Sequence, residues 1–394
     1  MRRLRPLLAA FCFAASAGAV AAQEIVVTFG GDVNFARSHE RPLPDKVRKN
    51  GTHSLHSLTN TLAEEWTGDI NFINVETVVA EKDGYKQGKQ FVFRSHPESF
   101  RHLMRLGVNA FALANNHAFD HGRPGLRDTL EFFQSADSAA KPILYAGTGV
   151  GDDAFAPKII NKNGIRVAMS AVSFGSGSFA PTDTQVGMAY LYNKTHYDKV
   201  IAGLRDARAD LKLLSVHMGT ENQTYLNYGQ RDLFKRAVDE AGVHLVIGHH
   251  PHVVRGVEVI KDKNAAIFYS LGNLLFIGGA EKDSKGLGVD YGLVGKAYFS
   301  FRNGTAELHA LEAVPFKGVH LKPRRPPIAR AVRTIEALNR LNRSTAGLNG
   351  ATFEITRPDA PRGLACFGGP YSPLAKAQCC KVERSLHCDL PDLM

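Results

Sequence analysis

Cysteine is missing from the whole middle of this 394-residue chain: of five cysteines, one is Cys12 and the others are Cys366, Cys379, Cys380 and Cys388. That gap excludes thiolate metal sites and disulfides from residues 13–365. Long apolar runs are equally scarce. None of 18 or more residues follows residue 25, which excludes an internal transmembrane helix of ordinary length. No internal repeat is visible, which sets aside solenoids and propellers. What remains is the composition of a soluble globular protein, 44% hydrophobic and 22% charged, long enough for one large α/β domain with an appendage.

The N-terminus reads as a cleaved export signal over residues 1–22. Arg2, Arg3 and Arg5 form a positive start, Leu7 to Val20 is apolar, and Ala19-Val20-Ala21 or Val20-Ala21-Ala22 offers a small-x-small cleavage site. The alternative is an uncleaved membrane anchor. The expected location is the bacterial periplasm. An oxidising compartment turns the four late cysteines into expected disulfides rather than a zinc knuckle. A bond between the neighbours Cys379 and Cys380 is strained, so two connectivities remain open. The charge is also localised. Residues 316–343 carry eight Lys/Arg against the single acid Glu336. Such a block suits an anionic polymer or lipid headgroups, and export argues against nucleic acid.

Apolar runs at Ile25–Phe29, Ile70–Val75, Ala110–Ala114, Ile165–Val172, Leu211–Val216 and Val243–Ile247 read as buried strands. Helical spacing over Pro97–Leu106, Gly125–Ser135, Tyr197–Ala209 and Arg231–Ala241 alternates with them. Val253–Ile260, Ala265–Leu271, Tyr291–Phe301 and Ala306–Ala313 follow as strands without helices. The pattern predicts an α/β sandwich of mixed sheets flanked by helices over residues 23–315. Beyond it, 316–343 reads as a basic linker and an amphipathic helix with apolar positions 328, 332, 335, 338 and 341. That helix either docks on the main domain or lies on a membrane surface. Residues 344–394 read as a cysteine-rich tail.

The residues with chemistry stand where predicted strands end. The first ends in Gly30-Gly31-Asp32-Val33-Asn34 and the second in Asn74-Val75-Glu76. Later ends supply Asn115-Asn116-His117-Ala118-Phe119-Asp120, His217-Met218-Gly219-Thr220-Glu221 and Gly248-His249-His250-Pro251-His252, then Ser270-Leu271-Gly272-Asn273. Open α/β sheets build their sites at such ends. One cluster is ordinary loop composition. Five in succession, offering nitrogen and oxygen but no sulfur, point to one or two Mn, Fe, Zn or Co ions in a hydrolytic site.

These motifs, GDVNFAR at 31–37, NVE at 74–76, ANNHAFDHG at 114–122, HMGTE at 217–221, GHHPHVVRG at 248–256 and YSLGN at 269–273, resemble the CapA family of capsule-synthesis proteins. That family's domain is a variant of the calcineurin-like metallophosphoesterase fold. The resemblance spans residues 25 to about 277 and leaves 316 onward unexplained. It implies Asp32, Glu76, Asn116, His217, His250 and His252 as ligands of one or two divalent ions (Mn, Fe or Zn). It implies His117 as an acid oriented by Asp120, and Asn34, Asn74, Glu221, His249 and Asn273 as substrate or supporting contacts. Typical metallophosphoesterases have Asp-x-His at the first strand; Asp32-Val33-Asn34 lacks that imidazole. The implied function is a metal-dependent hydrolase acting on an anionic capsule polymer, poly-γ-glutamate first, alongside capsule synthesis or export proteins. Alternatives are a non-catalytic polymer-binding subunit and a periplasmic phosphodiesterase or nucleotidase.

A closed loop of about 15 residues is worth roughly 3 kcal/mol by the chain-entropy estimate, so disulfides should order the tail. Thiol titration of the denatured, unreduced exported protein should detect no free thiol; four per chain would refute the stapled tail.

Overall fold

The computed structural model describes residues 23–82, 88–175, 177–279, 290–345, 347–369 and 371–382. The expected export signal over residues 1–22, with Cys12, and Cys388 lie outside the described residues. The first part of the chain forms β1 (Gln23–Asn34), β2 (Ile70–Val75), β3 (Ala110–Ala112) and β4 (Leu144–Ala146). Between these run α1 (Leu55–Ala63), α2 (Pro97–Arg105) and α3 (Gly122–Ala136). Next come β5 (Lys158–Lys162), β6 (Ile165–Ser173), α4 (Lys194–Asp206), β7 (Leu211–His217), α5 (Gln230–Ala241), β8 (Leu245–His249), β9 (Val257–Ile260) and β10 (Ala265–Phe268). The chain closes with β11 (Asn273–Phe276), β12 (Gly292–Arg302), β13 (Thr305–Phe316), α6 (Ile328–Ser344), β14 (Glu354–Thr356), β15 (Arg362–Cys366) and α7 (Pro373–Cys379).

Two mixed sheets result, as the alternation predicts. One runs β14-β15-β13-β12-β1-β2-β3-β4, and the other β5-β6-β7-β8-β10-β9. The parallel strands are β1 to β4 in the first and β6, β7, β8 and β10 in the second. Period-two burial fixes their facing sides. Ile25, Val27 and Phe29 of β1 share one core with Val167, Leu213, Ile247 and Phe268 of the second sheet. The Phe29 and Phe268 rings meet edge to face at 4.8 Å across that gap. Residues one step along the strands, such as Ile73 and Phe111, pack outward with Leu58, Phe100 and Phe133 of α1, α2 and α3. Leu214, Val216 and Val246 do the same with Val200, Leu204 and Phe234 of α4 and α5. The parallel strands of both sheets therefore end on one side of the molecule.

The C-terminal residues are built into this frame. β13 runs to Phe316, one residue into the segment expected as linker, and β15 pairs antiparallel with β13 to widen the first sheet. α6 docks on the main body, burying Ala331, Thr334, Ile335, Leu338 and Asn342. The expected stripe is rotated: Ile328 is exposed and Val332 and Leu341 are only half-buried. The reason is polar. Asn339 bonds both backbone groups of Phe353, while Asn342 accepts from Val257 N–H and donates to Ala351 O. The apolar side of α6 thus packs on the main body, the docking alternative of the two that its sequence offers. Arg333, Arg340 and Arg343 remain exposed. Cys366 is bonded to Cys379, and Cys380 is also disulfide-bonded.

Glu65 ties the C-terminal segment down. Its carboxylate, buried behind α1, meets Arg362 at 3.1 Å and Lys296 at 3.2 Å, with Arg325 at 3.9 Å. Arg362 also reaches Glu312 at 3.0 Å. Burial alone would raise the Glu65 carboxyl; Arg362, Lys296 and Arg325 together hold it below its usual range. Glu65→Ala leaves buried Lys296 and half-buried Arg325 and Arg362 short of an anion and should cost about 3–5 kcal/mol, read as a lower urea midpoint at neutral pH. A carboxylate with a lowered folded pKa stabilises above its unfolded value, and the contribution fades as pH falls through the folded one. The gap between variant and wild type should therefore close in acid. Equal midpoints at neutral pH would show that the cluster does not secure the segment.

Candidate metal centre

The strand ends deliver their side chains to one buried pocket. Asp32 arrives on β1, whose last residues pair with β11 in parallel, Asp32 beside Asn273. Glycine permits that approach: a Cβ on Gly31 would lie 1.8 Å from Gly272 O. Glu76 follows β2, and Asn116 and His117 follow β3. His217 ends β7, while His250 and His252 follow β8 in the left-handed region, at φ 92° and 55°. Such backbone costs of order 1–3 kcal/mol per residue and persists only where the surroundings impose it. Here it turns both imidazoles toward β1.

Two groups of three potential ligands converge. Glu76, His217 and His250 form one and Asp32, Glu76 and His252 the other, the donor atoms of each lying within 4.8 Å of one another. Glu76 belongs to both. Its Oε1 is 3.6 Å from His217 Nε2, 3.6 Å from His252 Nε2 and 4.0 Å from His117 Nε2. Asp32 Oδ2 is 3.3 Å from His252 Nδ1. Asn116 Oδ1 is 2.7 Å from His217 Nε2.

The supporting residues hold these groups in place. Asn74 Nδ2 donates to Asp32 Oδ1 at 2.8 Å and lies 3.2 Å from His217 Nδ1, leaving Nε2 toward Glu76. His249 Nδ1 lies 3.1 Å from Asp32 Oδ1, and Asn273 Oδ1 is 2.8 Å from His252 Nδ1. His117 Nδ1 lies 2.7 Å from Asp120 Oδ2, which also accepts from Phe93 N–H at 2.5 Å. Asn34 turns away: its amide bonds the backbone of Ala36 at both ends and accepts from Ser95. Glu221 is exposed and influences the pocket through its charge.

The electrostatics fit a cation. Glu76 is fully buried, and among the described residues neither carboxylate oxygen has a hydrogen-bond partner. Burial, then the charge of Asp32, pushes its carboxyl well above the usual range. Burial also pushes His217 well down and His250 down to about 3, with the neighbouring imidazoles adding to the effect. Burial disfavours ionised Asp32 too, yet contacts with His249 and His252 outweigh it and hold that carboxyl well below its usual range. Neutral imidazoles and unpaired carboxylate oxygens are what a divalent ion requires of its ligands. A buried carboxylate with no partner is otherwise costly.

Several neighbours escape a reading of the sequence. Lys89 bonds Asp120 and donates to Asn116 O at 2.8 Å. Phe93 lies 4.4 Å from the His117 ring, Phe174 4.4 Å from His250 and Phe276 4.8 Å from His252. These phenylalanines sit in apolar runs that look like core, and Lys89 carries no motif. Arg255, fully buried, donates to Gln223 O, Thr220 O, Asn227 and Gln230, fixing the loop after His217. Only its place in GHHPHVVRG could have drawn attention to it.

Among known proteins, the sequence model of the family "Bacterial capsule synthesis protein PGA_cap" matches residues 26–277. The chain is 29% identical to the PGA biosynthesis protein CapA of Bacillus subtilis, covering 75% of this chain and 74% of that protein. It is 28% identical to the capsule biosynthesis protein CapA of Bacillus anthracis, covering 82% and 74%. A solved structure, the calcineurin-like phosphoesterase YfkN of Bacillus subtilis, aligns over 81% of this chain and 97% of that one, at 13% identity and a TM-score of 0.40.

Purified protein should retain divalent metal through gel filtration. Glu76→Gln should lose more of it than His250→Ala or His252→Ala, because each histidine serves one group and Glu76 serves both. Wild type still metal-free after incubation with Mn, Zn and Fe would count decisively against the site.

Proposed function

This chain belongs to the bacterial capsule synthesis protein family, and from that premise we propose that it is an exported, periplasmic, metal-dependent hydrolase acting on an anionic capsule polymer, poly-γ-glutamate first. The observation that carries the reading is Glu76, buried with both oxygens unpartnered between two groups of ligands. Asp32, Glu76, Asn116, His217, His250 and His252 would hold one or two ions. A divalent ion there supplies Lewis acidity and makes water a nucleophile near neutral pH.

The rest falls to the protein's own groups. Asp120 faces His117 Nδ1 and orients the ring, so Nε2 faces the pocket 4.0 Å from Glu76. His117 would hold a proton at Nε2 and pass it to the leaving group. Phe93 N–H and Lys89 occupy the other lone pairs of Asp120, so the carboxylate orients the ring rather than reaching substrate. Phe93, Phe174 and Phe276 border the pocket and limit water.

A second reading is a binding subunit that grips the polymer without cleaving it. The absent first-strand histidine supports it, since the position is Asn34 and its amide is spent on Ala36. The exposed Arg333, Arg340 and Arg343 would then hold the polymer. His117→Ala separates the two readings. In an enzyme it should spare folding and metal content and cut turnover by roughly 10²–10⁴-fold, whereas His252→Ala should lose metal and activity together. The assay takes poly-γ-glutamate, a phosphodiester and a phosphomonoester, each with Mn and Zn. Turnover of the phosphoesters alone would assign a phosphoesterase unrelated to capsule. No turnover, with His117→Ala supporting polymer production in cells as wild type does, would leave the binding subunit.

A further inference from the structure

Beside the pocket lies a second cavity, where Arg37 at the end of the GDVNFAR motif meets residues that no motif includes. It has a volume of about 310 Å³ and is lined by Arg37, Ser38, His39, Glu40, Phe91 and Gly278. That is large enough for one monomer unit of a polymer. Its wall is fixed to the metal centre. Ser38 Oγ donates to Gln90 O at 3.1 Å and accepts from Val92 N–H at 3.0 Å, and His39 N–H donates to Val92 O at 3.2 Å. Phe93, one residue further, rests against His117. Phe91 and Phe93 stack with ring centres 6.3 Å apart, so one pair of rings separates the cavity from the proposed acid.

The two charged groups of the cavity are uncommitted among the described residues. Arg37 has no hydrogen bond or ion pair from its guanidinium among the described residues, and Glu40 has none from its carboxylate; the two do not pair with each other. His39 adopts φ 61°, a left-handed conformation that a residue with a Cβ takes at a cost. Phe91 is 49% exposed, an unusual place for a ring. One cation, one anion and one bare aromatic surface stand together, held by hydrogen bonds of Ser38 and His39 to Val92, the neighbour of the residue that touches His117.

We infer that this cavity is a subsite for one unit of an amide-linked polycarboxylate, with Arg37 binding its carboxylate, Glu40 accepting its amide N–H and Phe91 packing on its methylenes. The inference rests on the polymer reading above and deepens it. A guanidinium binds a carboxylate through paired N–H donors. A carboxylate facing the same cavity repels a bare polyanion but accepts from an amide. The cavity therefore selects polyamide over polyphosphate, and Phe91 and Phe93 place the bound unit one step from the metal centre.

The test uses full-length, metal-loaded protein and two probes of matched charge, a γ-linked glutamate oligomer and a linear polyphosphate. Their binding is measured by fluorescence anisotropy, with metal content measured in parallel. Arg37→Met should weaken oligomer binding about tenfold, the scale of one lost charge-assisted contact, with metal content unchanged. Glu40→Gln should weaken the oligomer and leave polyphosphate the same or tighter. Wild-type-like oligomer binding by Arg37→Met overturns the subsite while leaving the polymer reading intact. Tighter binding of both probes by Glu40→Gln overturns the amide contact and makes the cavity a plain anion site. If wild type binds no oligomer, the polymer reading itself fails and the subsite's ligand class fails with it.

Discussion

A carboxylate buried without a hydrogen-bond partner is the constraint around which this structure is arranged. Glu76 lies between His217, His252 and His117 with both oxygens unpartnered among the described residues. In a low-dielectric interior such a group is stable only with a proton or a cation. The surrounding residues favour the cation. Burial keeps the imidazoles of His217 and His250 neutral, Asn74 turns His217 Nε2 inward, and Asn273 and Asp32 orient His252. The strained backbone at His250 and His252 is part of the same arrangement.

The two sheets explain why this can be done with so few residues. Parallel strands of both sheets end on one side, so each needs to contribute only a few residues at or just past the end of its ladder. β1 is the link. Its first seven residues pair antiparallel with β12, and its last residues pair parallel with β11, which brings Asp32 beside Asn273. The packing of Phe29 on Phe268 sets the distance between the sheets, and through it the distance from Asp32 to the histidines after β8.

The family match ends at residue 277, but the first sheet does not. β12 and β13 lie beyond it, and β15 adds another strand. Glu65 binds Lys296 of β12 and Arg362 of β15 at once, so the segment after the matched region shares the electrostatics of the core. The basic block is correspondingly divided. Arg325 faces Glu65 inside, while Arg333, Arg340 and Arg343 stay in solvent.

The sequence by itself determined the local order. Apolar runs marked Ile70–Val75 and Leu211–Val216, helical spacing marked Pro97–Leu106 and Arg231–Ala241, and polar clusters after the strands marked the candidate residues. Those signals are legible because they depend on neighbours a few positions apart. Short strands such as Leu144–Ala146 and Arg362–Cys366 were not legible, being too brief to show a period. Only the tertiary structure decided that Glu76 belongs to both ligand groups, that Asn34 turns away, that Lys89 closes over Asp120, and that Asn339 and Asn342 rotate the buried face of α6. Each of these depends on groups far apart in the chain. Their separation is set by how two twisted sheets pack, and no local pattern in the sequence records that distance.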